Sequence, residues 1–277
     1  MKQIKRFSTF TLALMFIAVG VAACINPVIS MNADTEGKRY QRRGANLIRA
    51  FTERVDYTAS YPSSYSTNPQ LPDYAANTLN SYGTCGVTAG GNIVAWYNKT
   101  YSGLIPGHTA GKLFFGSWIW TIQNSYIDAL LGDLSVAMDE TVDGVTISEY
   151  HQGMTSYVTG KSRTYTKTSL MNPNGTLNFE AAAEALDDDK LISIFVDGFN
   201  MIYLTSYSGY DLIYTEEYGG AHVMSVCGYG EIKYHDANGL FRTDTYFIVQ
   251  TGLGLSPMLL KLNSSISIED CYITHIS

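Results

Sequence analysis

The chain has 277 residues, 45% of them hydrophobic and 16% charged, with a formal net charge of −7. That balance is ordinary for a folded globular protein and too apolar for a disordered one. The charge is spread without a long basic run, which argues against a nucleic-acid partner.

The N-terminus reads as an export segment over residues 1–30. Lys2, Lys5 and Arg6 make a basic start, and Phe10 to Val21 is an uncharged apolar run. The run is shorter than the roughly 20 residues that span a bilayer comfortably, so a leader is expected rather than a permanent anchor. Val21-Ala-Ala-Cys24 resembles the lipobox of bacterial lipoproteins, which would leave Cys24 acylated and the protein lipid-anchored at the cell surface. Ordinary cleavage after Ser30 or Ala33 is the alternative, giving a secreted chain. Either route leaves about 245 residues, enough for one large domain or two small ones.

Residues 31–70 read as an N-terminal extension or short propeptide. Within it residues 34–56, with Leu47, Ile48 and Phe51, suggest an exposed helix, and Tyr57 to Pro72 an extended loop. The main domain is placed at 71–277. A helix is expected after Cys85, with Ala89, Ile93, Trp96 and Tyr97 on one face. Gly90 and Gly91 cost it about 1 kcal/mol each relative to Ala, which implies close packing against its backbone. Lys112 to Leu134, rich in Trp118, Ile119 and Trp120, predicts a buried helix, and Ile147 to Val158 a shorter one. Asn178 caps a further helix carrying Phe179, Ala182, Ala183 and Leu186, ended by Asp187 to Asp189. Strands are then predicted at Leu191–Val196, Val223–Cys227, Tyr246–Val249 and Met258–Leu262, with a hairpin over Asp236-Ala-Asn-Gly239. Helices before strands make the fold class α+β.

Four cysteines are present, Cys24 in the leader or at its junction. The remaining three cannot all pair with one another. Cys227 lies in an apolar strand pattern and reads as a buried small hydrophobe, which Cys271 could join in a disulfide. Cys85 is the odd one. It sits in Tyr82-Gly-Thr-Cys-Gly-Val-Thr-Ala89, a turn that runs into the helix. About 140 residues later His222 opens the strand-like run Ala221-His-Val-Met-Ser-Val-Cys-Gly-Tyr-Gly230. Taken singly, Cys85 is a buried cap-region thiol and His222 a packed histidine. Together, flanked by Gly83, Gly86, Gly219 and Gly220, they outline a nucleophile and its base. A helix N-terminus and a neighbouring imidazolium both lower a thiol pKa, and the thiolate is the species that attacks carbonyl carbon.

These segments resemble those of papain-like cysteine peptidases, notably bacterial secreted types related to streptopain and to bacteriocin-processing peptidases. The cysteine segment resembles their nucleophile segment, the His222 run their histidine strand, and Tyr246-Phe-Ile-Val-Gln-Thr-Gly-Leu-Gly254 the strand ending in the residue that orients the histidine. The resemblance implies two lobes, an N-terminal helical one built on the helix after Cys85 and a C-terminal antiparallel β-barrel-like one. It implies peptide-bond hydrolysis through an acyl-enzyme on Cys85, with His222 as general base and acid. A peptide or protein substrate, a monomer and no cofactor follow from it. The orienting position, usually Asn or Asp, is Gln250 by streptopain-like spacing and Thr251 by papain's own. The oxyanion glutamine expected six residues before the nucleophile is replaced by Leu79, leaving Asn80 as nearest substitute and Asn77 as next. A cell-wall peptide amidase using the same pair is one alternative, and a papain-fold surface binding protein without turnover is another. Gly160-Lys-Ser162 lacks the upstream glycine of a phosphate loop, and Asp139–Gly144 lacks calcium ligands at the required positions. His108, His151, His235 and His275 have no metal-site spacing.

Overall fold

The computed structural model describes residues 46–55, 85–108, 111–114, 117–120, 124–207, 210–236, 239–252, 258–262 and 266–277. The export segment with Cys24, the 57–72 loop, Asn77, Leu79 and Asn80 lie outside the described residues. Residues 36–277 form one compact unit. The elements in chain order are β1 (Asn46–Val55), α1 (Cys85–Asn98), β2 (Gly111–Phe114), β3 (Ser117–Trp120), α2 (Asn124–Ala137), α3 (Ile147–Gly160), β4 (Tyr165–Ser169), α4 (Phe179–Asp187), β5 (Leu191–Tyr207), β6 (Tyr210–Asp236), β7 (Gly239–Gln250), β8 (Met258–Lys261) and β9 (Ser267–Ile276). The fold class is α+β.

Helix α1 carries no charged residue, and every residue in it but Trp96 is buried. A helix apolar all round belongs in a core. Its glycines are contact sites: a Cβ on Gly86 would come 2.5 Å from Val145 Cγ2, and one on Gly90 2.9 Å from Met138 Cε and Met154 Sδ. Helix α3 starts with a capping box, Thr146 Oγ1 accepting from the Glu149 N–H while the Glu149 carboxylate accepts from the Thr146 N–H; such caps contribute about 1 kcal/mol. Asn178 caps α4 by accepting from the Ala181 N–H, as its sequence predicts.

The main sheet is antiparallel, in the order β1-β6-β7-β8-β5-β9-β4, and β5 also pairs with β6. Pairing therefore runs in a closed circuit, β5–β6–β7–β8 and back to β5. Successive strand residues point to opposite faces, and this divides the interior into two cores. Leu191, Phe195, Val223 and Cys227 pack with α1, α2 and α3 through Cys85, Ile93, Leu130 and Met154. Ile192, Ile194, Val196, Met224 and Val226 pack with Phe247, Val249, Leu260 and α4.

Several expectations need correction. Residues 46–55 form a strand, not a helix, pairing antiparallel with Asp211–Gly219 of β6; Leu47 in it is 54% exposed. Its apolar spacing fits neither period cleanly, so long-range pairing decides. Within the stretch read as an extension, residues 46–55 thus form an edge strand of the sheet. Lys112 to Leu134 is not one helix: β2 and β3 pair through Lys112↔Ile119 and Leu113↔Trp118 before α2 begins at Asn124. Trp and Ile favour strands, and that preference holds here. Strands β5 and β6 run far beyond the predicted 191–196 and 223–227, because the segments joining them continue the ladder and pair with each other from Phe199↔Tyr218 to Tyr207↔Tyr210. Cys227 and Cys271 do not form a disulfide. Both are buried thiols, one in each core.

Candidate active site at the start of the buried helix

Three elements converge at the first turns of α1. Ser225 Oγ of β6 donates to the Ala89 carbonyl at 2.9 Å. Gly252, just past β7, has φ +68°, and a Cβ there would lie 3.1 Å from Thr88 Cγ2. The Cys85 sulfur in turn meets the main chain of Val223, the residue after His222. Thus the cysteine, the strand that carries His222 and the end of β7 share one corner of the molecule.

Cys85 is the first residue of α1 and is 2% exposed. The main-chain N–H groups of Val223, Gly86 and Cys85 itself face its sulfur and favour the anion. Burial outweighs them and pushes the thiol up to about 12, with the Glu140 carboxylate adding in the same direction. The sulfur is therefore a neutral thiol in this enclosed arrangement. The expectation of a thiol lowered by the helix N-terminus is corrected on that ground: lost hydration exceeds a helix end's partial charge.

His222 is fully buried in β6, paired with Val196 of β5. Its ring stacks on Phe199 with centroids 5.5 Å apart and planes 21° apart. Nε2 lies 2.8 Å from the Thr251 carbonyl oxygen. A carbonyl only accepts, so Nε2 is the protonated nitrogen and Nδ1 carries the lone pair in the neutral ring. Main chain of Val223, Gly86 and Cys85 faces Sγ, and the His222 ring packs on Phe199 with Nε2 on the Thr251 carbonyl.

Gln250 ends β7, buried, directly opposite Ser225. Thr251, the alternative orienting position, meets the His222 ring through its main-chain oxygen. Sequence reasoning had no means to find this, because every residue type carries that carbonyl. Asn80, the oxyanion candidate, lies outside the described residues.

Glu140 was missed entirely. It follows α2, and its Oε2 accepts from Ser135 Oγ at 2.7 Å. Burial pushes its carboxyl above the ordinary range. A lone acid after a helix has no sequence signature; only the fold sets it near Cys85. Among the described residues no group of three His, Cys, Asp or Glu side chains is placed to hold a metal ion. Compared with known proteins, the chain matches no family model, no curated protein and no solved structure.

Proposed function

We propose that the protein is an exported cysteine peptidase of papain-like, two-lobe architecture, cleaving peptide bonds through an acyl-enzyme on Cys85. The observation that carries this reading is the fixed tautomer of His222: Nε2–H is held on the Thr251 carbonyl, which leaves Nδ1 as the base. A helix-start cysteine beside the next residue of the same strand supplies the nucleophile. The helices α1–α3 against a closed circuit of β5–β8 support the two-lobe reading.

In this mechanism His222 Nδ1 takes the Cys85 thiol proton and the thiolate attacks the scissile carbonyl carbon. The Cys85 N–H, with Asn80 as the side-chain candidate, donates to the developing oxyanion, where one donor is typically worth about 10²–10³ in rate. Nδ1–H then protonates the leaving amine, and the same nitrogen deprotonates the water that releases the acyl group. The chemistry calls for no cofactor. Because Cys85 is 2% exposed, its surroundings must open for a peptide to reach Sγ. Residues 1–30 direct export, and Cys24 gives the anchored form if acylated.

The enclosed neutral sulfur also favours a second reading, a papain-fold surface binding protein without turnover. Hydrolysis of casein and of purified cell wall by the mature protein tests both, and preference for the wall identifies the amidase. The peptidase reading predicts casein cleavage abolished by Cys85→Ala and by His222→Ala. Turnover that survives Cys85→Ala, or no turnover of either substrate by the unaltered protein, rejects the thiol mechanism.

A further inference from the structure

Strand β6 carries His222 and packs directly on α1, which carries Cys85. Side chains alternate along a strand, and here Val223, Ser225 and Cys227 turn toward α1 while Met224 and Val226 enter the other core. Ser225 is the polar member of that row and is fully buried. Its Oγ donates to the Ala89 carbonyl at 2.9 Å, one turn of α1 beyond Cys85. A carbonyl inside a helix already accepts from the N–H four residues on, and its second lone pair takes the serine. The helix does not need this bond to form, and an apolar side chain like those beside it would fill the row. What the bond adds is direction. Apolar contacts have none, whereas a hydrogen bond holds its atoms to within about half an ångström.

The surroundings of Ser225 tie this bond to the reactive pair. Two residues earlier the Val223 main chain faces Cys85 Sγ, and His222 immediately precedes it. Across the ladder Ser225 pairs with Gln250, the last residue of β7. Just beyond, the Thr251 carbonyl holds His222 Nε2 and Gly252 comes close to Thr88 of α1. The ring and its acceptor are thus both referred to the first two turns of α1.

We propose that Ser225 is a positioning residue of the Cys85–His222 pair: its hydrogen bond to Ala89 locks the register of α1 on β6 and so sets how the thiol meets the imidazole. The proposal rests on the thiol-hydrolase reading and adds the device that keeps the two halves of its site in step. Ser225 takes no part in the bond changes. It acts through the two elements it joins, since Ala89 is one helical turn from Cys85 and Ser225 is three strand residues from His222. A displacement of about 1 Å between reacting groups costs about 10²-fold in rate, so a lost register shows as slower proton transfer.

The pH–rate profile of Cys85 alkylation by iodoacetamide tests this in the mature protein without any peptide turnover. The thiolate displaces iodide, the C–S bond forming as the C–I bond breaks, and His222 takes the thiol proton. Peptide mass mapping reads Cys85 apart from Cys227 and Cys271. The unaltered protein, His222→Ala, Ser225→Ala and Cys227→Ala are compared. At pH 7 Ser225→Ala is expected to label at least about tenfold more slowly than the unaltered protein, as His222→Ala does. The gap closes toward about pH 10, where hydroxide replaces the imidazole as base. Loosening alone has the opposite sign, because a buried thiol in a slackened core is exposed more often and labels faster. Cys227→Ala, which truncates the next side chain of the same row, is expected to label no more slowly than the unaltered protein. A Ser225→Ala rate at pH 7 equal to or above the unaltered one, or an equal fall in Cys227→Ala, overturns the role of Ser225 and leaves the pair standing. A Cys85 that stays unlabelled until the protein unfolds, or a profile that His222→Ala leaves unchanged, overturns the pair itself and the proposal with it.

Discussion

His151 makes the protein acid-labile by an amount that follows from its surroundings. It lies on α3, 4% exposed, packed edge-on to Tyr150 and Tyr272 and tilted against Tyr165 and Phe195. Its Nδ1 bonds the Tyr165 hydroxyl at 2.8 Å, and Nε2 is enclosed without a hydrogen-bond partner. A second ring proton therefore meets no acceptor. Burial first, and the Lys167 charge second, lower its pKa from 6.5 to about 3. Lys167 stands over the Tyr272 ring, 4.7 Å from its centroid. The group's folded pKa is depressed, so below 6.5 the unfolded chain takes a proton that the folded one refuses. The stability is present above pH 6.5 and is lost as pH falls toward 3. At about 1.36 kcal/mol per pH unit, roughly 3 kcal/mol is gone by pH 4.5. That is a large part of a typical domain stability of about 5–15 kcal/mol. Urea unfolding of the unaltered protein and of His151→Asn, each at pH 7 and pH 4.5, isolates the effect from the other titrating groups. The variant is less stable at pH 7, and its stability falls by about 3 kcal/mol less between the two pH values. Identical pH dependence in the two proteins would refute the reasoning.

Two further predictions concern the corner around Cys85. Gly86→Ala forces a methyl onto Val145 Cγ2 and should cost about 1–3 kcal/mol in a thermal melt, with partial recovery in the Gly86→Ala, Val145→Ala double variant; no recovery would place the strain elsewhere. Thr251→Val keeps the main-chain carbonyl that holds His222, so the pH profile of kcat/KM should stay unchanged; a shifted basic limb would mean that the hydroxyl, not the carbonyl, orients the ring.

What the amino-acid sequence determined by itself was local. Helix α3 was legible from its own span, and α4 also from its cap, Asn178, which satisfies a backbone donor within one turn. Cys85 at a helix start and His222 on a strand were legible for the same reason, since each position depends on its own flanking residues. Tertiary structure decided everything whose partner lies far along the chain. The 46–55 segment became a strand because β6 offered an edge to pair with, some 160 residues away. Strand β9, with Glu269 and Asp270 amid its apolar residues, gave no clean period and is held by its neighbours β4 and β5. The Thr251 carbonyl could not be read because a main-chain oxygen has no residue identity. Glu140 could not, because a carboxyl gains its meaning from what it is buried against. Burial likewise, rather than the helix end visible in the sequence, sets the protonation of Cys85, since loss of water outweighs a partial charge.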